Sequence, residues 1–136
     1  MIANELMTRD PITVDPSTSI RAARMLMWEN DLRHIPVVDN GALIGMISDR
    51  DLRSYLPAPD PEAGIDEAVI DRLSDPVSAC MQTGALTLDP EAEITTVIDM
   101  MVEWRVGAVP VVESGTDDLV GIVSYVDVLR AARASF

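Results

Sequence analysis

Apolar and polar positions along the chain follow two different periods, which predicts helices and strands in alternation. In two segments the apolar residues recur every three or four positions, as they do on the buried face of a helix. These residues are Ile20, Ala23 and Met27 in the first segment and Ile94, Val97, Ile98, Met101 and Val102 in the second. Two short apolar runs, residues 35–38 and 43–47, flank Asn40-Gly41, a pair that favours a tight hairpin turn.

The whole pattern occurs twice, so the chain is an internal repeat. The sequence GMISDRDL at residues 45–52 returns as GIVSYVDV at residues 121–128. The second copy has two extra residues, which fall in the turn at residues 113–117, where insertions are tolerated. Each copy predicts a short strand, a helix, a strand, a hairpin turn, a strand and a helix.

The boundaries of these elements follow from local sequence. Asp-Pro ends the first strand of each copy, because proline suits neither a helix interior nor a central strand. The first strands are expected at residues 12–14 and 86–88, the first helices from near residues 17–19 and near Glu91, and the closing helices from Asp49 and from Tyr125.

The copies define the domain organisation. We assign residues 1–56 to the first repeat, residues 57–76 to a linker and residues 77–136 to the second repeat. The linker begins with a proline-rich acidic segment, and apolar spacing at residues 65–73 predicts a short helix within it.

Charge and composition narrow the function classes. The net charge is -13, and the ten basic residues, all arginines, are scattered among 23 acidic ones, which opposes nucleic-acid binding. The single cysteine excludes an internal disulfide and a cysteine-based zinc site within one chain. No apolar run approaches the roughly 20 residues of a membrane span, and the N-terminus does not have the pattern of a signal peptide. We therefore expect a soluble cytoplasmic protein without a membrane partner.

The sequence Ser-x-x-Asp follows the second hairpin strand in both copies, at Ser48 and Asp51 and at Ser124 and Asp127. Two interpretations are open at this point. The sequence is an ordinary helix cap, which contributes about 1 kcal/mol to stability. Alternatively, the helix start also receives an anion, because its first N–H groups have no partner within the helix. Duplication at matched positions favours ligand binding by at least one copy.

With both copies in view, the chain resembles a pair of CBS motifs (cystathionine beta-synthase-type repeats), which together form a Bateman module. The resemblance rests on the sequences MTRDPITV at residues 7–14, HIPVVD at residues 34–39 and GMISDRD at residues 45–51, in this order and duplicated. It covers nearly all of the chain apart from the linker. It implies an α/β (α+β) fold of two β-α-β-β-α repeats packed with pseudo-two-fold symmetry.

The resemblance also implies two clefts between the repeats that bind AMP, ADP, ATP or S-adenosylmethionine. Asp51 and Asp127 would be the ribose ligands, because one carboxylate accepts hydrogen bonds from two vicinal hydroxyls. Ser48 and Ser124 would contact phosphate. One cleft would join Met46, Ser48, Arg50 and Asp51 to Gln82, Thr87, Gly107 and Ala108. The other would join Ile122, Ser124 and Asp127 to Thr8, Thr13, Arg33 and His34.

Two positions depart from exact duplication. Gln82 stands where the first copy has Thr8, and Val126 stands where it has Arg50. Each expected cleft keeps one arginine, Arg50 or Arg33, which favours a mono- or diphosphate over a triphosphate.

Three hypotheses follow. The first is a regulatory sensor that binds an adenosyl ligand, requires no cofactor or metal, forms a homodimer through its helices and passes a conformational response to an effector protein. The second is a structural dimerisation module without a ligand. An enzyme has the least support, because His34 is the only histidine and the sequence offers neither a nucleophile paired with a base nor a glycine-rich phosphate loop.

Overall fold

The computed structural model describes residues 1–57 and 67–136. In chain order the elements are α1 (Ala3–Leu6), β1 (Thr8–Arg9), α2 (Ile20–Asn30), β2 (His34–Asp39), β3 (Ala42–Ser48), α3 (Asp49–Tyr55), α4 (Glu67–Leu73), α5 (Ile94–Trp104), β4 (Ala108–Val112), β5 (Leu119–Ser124) and α6 (Tyr125–Arg133). After the one-turn helix α1, the first repeat runs β-α-β-β-α, but its first strand is Thr8–Arg9 and not the predicted residues 12–14. The mixed α/β class is confirmed. Within these residues, no helix is long and apolar enough to cross a membrane.

The chain folds into two compact units whose boundaries differ from those of the repeats. The C-terminal unit contains Met1–Ile12, Asn40–Leu43 and Gly84–Phe136, and the central unit contains Thr13–Asp39 and Ile44–Thr83. The segment that begins each repeat thus packs in the unit that holds the helices of the other repeat.

The C-terminal unit is built on an antiparallel sheet with the strand order β1-β5-β4. In this sheet Thr8 lies opposite Ile122 and Arg9 lies opposite Gly121. A bulge between Val111 and Val112 shifts the register of β4 against β5. The core under the sheet consists of Ala3, Leu6, Met7, Leu88, Val97, Val109, Val111 and Val123.

The β2–β3 hairpin belongs to the central unit except for its tip, Asn40–Leu43, which is part of the C-terminal unit. Its turn residues, Asn40 and Gly41, have φ angles of 52° and 83°, the left-handed conformation that an Asn-Gly hairpin turn requires. In place of a third strand, Gln82 forms one antiparallel bridge with Met46, at the position that matches the pair Thr8 and Ile122. The core of the central unit consists of Val14, Ile20, Ala23, Met27, Ile35, Val37, Ile47, Leu52 and Val77.

A glycine in each repeat permits this pairing. A Cβ atom on Gly45 would lie 2.8 Å from the carbonyl oxygen of Gln82, and one on Gly121 would lie 2.9 Å from that of Thr8. Both distances are shorter than van der Waals contact, so a side chain at either position would displace a backbone strand. Glycine therefore occurs at this position in both repeats because two backbones lie close together there.

The strands predicted at residues 12–14 and 86–88 are not strands. Each is reduced to one parallel bridge, Val14 with Val37 and Leu88 with Val111. Val14 donates its N–H to the carbonyl of Pro36 (3.1 Å) and accepts a hydrogen bond from Val38 N–H (2.9 Å). The ladder stops there because Asp15-Pro16 turns the chain away, as Asp89-Pro90 does in the second copy.

The first helices of the two repeats begin close to the predicted positions and end alike. The Oγ atom of Ser19 accepts the N–H of Ala22 (3.1 Å), which caps α2. Asp31 and Arg105 then end α2 and α5 in the left-handed conformation, with φ of 53° and 54°. This is a common way for a helix to end.

The predicted buried face of the first helices is correct for α2 and partly wrong for α5. Ile20, Ala23 and Met27 are buried. Val97 is also buried, but Ile98 is 38% exposed and Val102 is 72% exposed. Helical spacing identifies an apolar face, and in α5 this face is wider than the core of one chain covers.

The linker helix predicted at residues 65–73 is present as α4, although residues 65 and 66 lie outside the described residues. Side chains fix its C-terminal end to the end of α3. Tyr55 Oη donates to Asp75 Oδ2 (2.5 Å), and this hydrogen bond raises the pKa of Tyr55. The Arg72 guanidinium lies 5.3 Å from the centre of the Tyr55 ring.

Replacing Gly45 or Gly121 by Ala should lower the free energy of unfolding by about 1–3 kcal/mol, because the new methyl group overlaps a backbone carbonyl. Scanning calorimetry should show a melting temperature lowered by several degrees. Gly115→Ala is the control, because it places a methyl group in open space and costs only the strain of its left-handed backbone (φ 75°). A Gly45→Ala protein with the same melting temperature as the wild type would contradict the close approach of the two backbones.

Candidate functional site

Both Ser-x-x-Asp sequences form complete capping boxes, so the capping interpretation is confirmed. At the start of α3, Ser48 N–H donates to Asp51 Oδ2 (2.9 Å) and Asp51 N–H donates to Ser48 Oγ (3.0 Å). At the start of α6, Ser124 N–H donates to Asp127 Oδ2 (2.8 Å) and Asp127 N–H donates to Ser124 Oγ (3.3 Å). Each carboxylate thus uses Oδ2 for the cap and leaves Oδ1 for another partner.

In the central unit, the structure brings Met46, Gln82 and Asp51 together. Gln82 and Met46 exchange two backbone hydrogen bonds of 2.8 and 2.9 Å. The side chain of Gln82 then reaches the capping carboxylate, where Nε2 donates to Asp51 Oδ1 at 3.1 Å. Met46 is buried, Ser48 and Asp51 are half-buried, and Arg50 is exposed on the first turn of α3. Five of the predicted site residues therefore lie at one end of β3.

In the C-terminal unit, Thr8, Ile122, Ser124 and Asp127 lie at the matching end of β5. Thr8 is the strand partner of Ile122, and both Ser124 and Asp127 are half-buried. Within residues 1–57 and 67–136, neither Asp127 Oδ1 nor the Thr8 hydroxyl has a hydrogen-bond partner. The acceptor oxygen is thus available here, whereas in the central unit it is engaged.

Arg33 and Gly107, at matched positions, hold the closing helices by their backbones. The carbonyl of Arg33 accepts the N–H of Asp49, and the carbonyl of Gly107 accepts the N–H of Tyr125, each at 2.9 Å. Ala108 lies opposite the capping serine of α6 in the sheet. Within the units, Arg33 therefore lies near the helix of Asp51, and Gly107 and Ala108 lie near that of Asp127.

The Asp51 carboxylate influences two further groups in the central unit. Burial lowers the pKa of His34, the charge of Asp51 opposes this shift, and Arg33 adds to it, so the ring is neutral at pH 7. Burial and the charge of Asp51 both raise the pKa of the Cys80 thiol, which therefore stays protonated. In the part of the chain that the structure describes, no three His, Cys, Asp or Glu side chains form a group that could hold a metal ion.

Thr13 and Thr87 precede the two parallel bridges. Thr13 is half-buried in the central unit, and Thr87 is exposed in the C-terminal unit. Their roles in ligand binding, like the grouping of all predicted site residues into two clefts, stay predictions.

A groove of about 780 Å³ on the central unit was not expected from the sequence. The outer side of α2 lines it with Arg21, Arg24 and Trp28, and Trp28 is 87% exposed. Asp31 and Arg33 line it from the turn that follows α2. Arg21 and Arg24 lie one helical turn apart and therefore share one face of α2. This spacing is the feature of the sequence that indicates the charged side of the groove.

Comparison with known proteins identifies the family of both repeats. The family model described as CBS domain matches twice, at residues 3–58 and 77–134. A CBS domain-containing protein from Dictyostelium discoideum is 30% identical over 131 residues, which cover 95% of this chain and 89% of the relative. An uncharacterised protein from Methanocaldococcus jannaschii is 31% identical over 93% of this chain, and the match spans only 30% of that relative's length.

Solved structures of similar fold include two complexes. CBSX2 in complex with AMP has a TM-score of 0.82 and 24% identity, with 98% of this chain and 97% of that chain covered. The CBS domain pair of protein MJ0100, in complex with 5'-methylthioadenosine and S-adenosyl-L-methionine, has a TM-score of 0.81 and 21% identity, with 100% and 98% covered. At these identities the two structures show the fold. The two matches of the family model, which together cover most of the chain, establish that the chain belongs to the CBS domain family and carries a pair of its motifs.

Proposed function

We propose that the protein is a regulatory sensor that binds an adenosyl ligand through Asp51 and Asp127. One observation carries this proposal, the duplicated capping carboxylate. In both copies Oδ2 is held by the helix cap, while Oδ1 lies outside the cap. A helix cap alone needs only one of these oxygens, so each carboxylate has a second acceptor oxygen outside the cap, which Gln82 already contacts at Asp51.

The chemistry of this acceptor fits a ribose. Vicinal hydroxyls donate charge-assisted hydrogen bonds to a carboxylate, and such bonds are stronger than those between neutral groups. The cap fixes the carboxylate before the ligand arrives, so binding loses little side-chain entropy. Ile122, two residues before the capping serine of α6, is half-buried and offers apolar surface for an adenine ring, whereas Met46 at the matching position is buried and would only line the site.

Few positively charged side chains are available to contact the phosphate groups of a ligand. Arg50 is exposed beside Asp51, and Arg33 lies at the start of β2. If Arg33 belongs to the Asp127 cleft, as the family resemblance implies, each site has one arginine, which favours a mono- or diphosphate such as AMP or ADP over ATP. The remaining predicted residues, namely Thr8, Thr13, His34, Gln82, Thr87, Gly107 and Ala108, would contact the base and sugar.

Relatives of the same fold support this class of ligand. AMP, 5'-methylthioadenosine and S-adenosyl-L-methionine, the ligands of CBSX2 and MJ0100, share an adenosine group and differ in what extends from it. A site whose fixed element is a ribose-binding carboxylate would recognise this shared group. Which extension is accepted would then depend on Arg50, Arg33 and the capping serines.

We further propose that the protein regulates and does not catalyse. Burial raises the pKa of the only cysteine, which opposes a role as a nucleophile, and the sequence pairs its single histidine with no such nucleophile. A ligand that binds two conformations with different affinity shifts their populations, and this shift would reach an effector protein in the cytoplasm. The charge of -13 opposes nucleic acid as that effector.

A structural dimerisation module without a ligand is the second candidate. It is favoured by the same capping boxes, because both aspartates already have a structural role. The two candidates differ in whether Oδ1 receives a ligand, and ligand binding tests this directly.

Thermal unfolding with and without AMP, ADP, ATP or S-adenosylmethionine tests the sensor. A ligand at about 100 times its Kd should add roughly 2.7 kcal/mol, which raises the melting temperature by several degrees. Asp51→Asn and Asp127→Asn keep an acceptor oxygen for the cap and lose the negative charge. Each should reduce the ligand-induced shift relative to its own ligand-free protein.

Arg130→Ala is the matched control, because it changes an exposed charge on α6 outside the capping box. The sensor proposal is wrong if none of the four ligands moves the transition of the wild type. It is also wrong if a ligand shifts the wild type and both asparagine variants equally.

We also propose that the protein is a homodimer joined through an apolar face of the C-terminal unit. The face lies on the neighbouring helices α5 and α6. Its members are the exposed residues Ile98, Val102, Tyr125, Val126 and Leu129. Leu129 alone is 61% exposed. An exposed apolar face of this kind is suited to contact with a partner surface.

The repeat shows which surface of a second copy fits. Three of the five matched positions on α2 and α3 carry an arginine instead, with Arg24 in place of Ile98, Arg50 in place of Val126 and Arg53 in place of Leu129. Tyr125 is matched by Asp49, and Val102 by the exposed Trp28. Burying these arginines against an apolar face would leave charges without partners, at considerable cost. The α5–α6 face should therefore meet the same face of the second copy, as in a two-fold symmetric dimer.

The double variant Val126→Arg, Leu129→Arg gives α6 the two arginines that α3 carries at the matched positions. It should convert the dimer to a monomer. Sedimentation velocity measures this, and like-charge repulsion across the two-fold axis makes the effect large. Ser135→Arg is the control, because it adds an exposed positive charge after the end of α6. A double variant that sediments as a dimer would show that this face does not join the copies.

A further inference from the structure

The two capping carboxylates differ in what lies beside Oδ1. Asp51 Oδ1 accepts a hydrogen bond from Gln82 Nε2 at 3.1 Å. Within residues 1–57 and 67–136, Asp127 Oδ1 has no hydrogen-bond donor. The residue that matches Gln82 is Thr8, whose side chain ends two bonds earlier. The acceptor proposed to bind ribose is therefore engaged in one copy and available in the other.

The backbones around the two carboxylates are alike, so the difference lies in one side chain. Gln82 pairs with Met46 as Thr8 pairs with Ile122, each in an antiparallel bridge. The neighbouring glycines allow equally close approaches of the backbones, because a Cβ atom on Gly45 or Gly121 would lie only 2.8 or 2.9 Å from the carbonyl oxygen of Gln82 or Thr8. The two hydrogen bonds to Met46 hold the Gln82 backbone, which keeps its amide within reach of Asp51.

From this difference we propose that Gln82 makes the two adenosyl sites unequal, so that the Asp127 site fills before the Asp51 site. The inference rests on the proposed function and adds the residue that sets the order of binding. At Asp51 the ribose hydroxyls displace an amide that already bonds the same oxygen. At Asp127 they displace only solvent.

The expected difference is modest. A hydrogen bond from a neutral amide to a charged group at an exposed position corresponds to roughly a threefold to tenfold change in Kd. Two sites that differ by this factor respond over a wider range of ligand concentration than two equal sites. Gln82 would thus broaden the response of the sensor.

A reciprocal exchange of side chains tests the proposal. Isothermal titration calorimetry with AMP, and separately with S-adenosylmethionine, measures the Kd of each site in the wild type, Gln82→Thr, Thr8→Gln and the double variant. Gln82→Thr should strengthen the weaker site threefold to tenfold, and Thr8→Gln should weaken the tighter one. In the double variant the order should reverse. Asp127→Asn should remove the tighter site of the wild type, which assigns the two sites.

A ligand without ribose hydroxyls is the chemical control. With 2',3'-dideoxyadenosine monophosphate, the exchange of Gln82 and Thr8 should leave both Kd values unchanged, because no hydroxyl competes with the amide. Equal effects of the exchange on AMP and on this analogue would show that Gln82 acts elsewhere on the ligand.

The outcomes separate the two proposals. If AMP or S-adenosylmethionine binds but Gln82→Thr leaves the weaker site unchanged or weakens it further, the role assigned to Gln82 is wrong and the sensor remains. If neither ligand binds the wild type or any variant, the adenosyl sensor is wrong, and the order of binding falls with it.

Discussion

The close approach of two backbones beside Gly45 and Gly121 determines how the rest of each unit is arranged. Because no side chain intervenes, Gln82 and Thr8 can pair with the strands that end at the capping serines. In the central unit this pairing places the Gln82 side chain, from the start of the second repeat, next to the Asp51 carboxylate, from the end of the first. The site proposed for the ligand is therefore a product of strand pairing, and its polar groups are fixed before any ligand binds.

Duplication has preserved this backbone while allowing the surfaces to diverge. The capping boxes, the glycines and the left-handed helix ends of α2 and α5 recur in both copies. The outer faces of the helices do not, since arginines on α2 and α3 replace aliphatic residues on α5 and α6. Residues that hold the backbone are constrained by geometry in both copies, whereas exposed positions are constrained only by what they meet.

Much of the fold follows from the sequence, because its elements are specified locally. Asn40-Gly41 determines a turn, and the capping boxes mark the starts of α3 and α6. What sequence could not give depends on distant residues. The predicted strand at residues 12–14 reduces to one bridge, and the exposure of Val102 depends on how much core the C-terminal unit provides. The contact of Gln82 with Asp51 is of the same kind, because only the folded chain shows which amide reaches which oxygen.

The pairing of β1 with β5 also has a consequence for how the chain folds during synthesis. Thr8 pairs with Ile122, which the ribosome adds 114 residues later (122 − 8). Contacts between such distant positions slow folding, because a long loop must close before they form. The sheet of the C-terminal unit is therefore completed only after β5 has emerged. The central unit, whose segments all precede residue 84, has its full sequence available earlier.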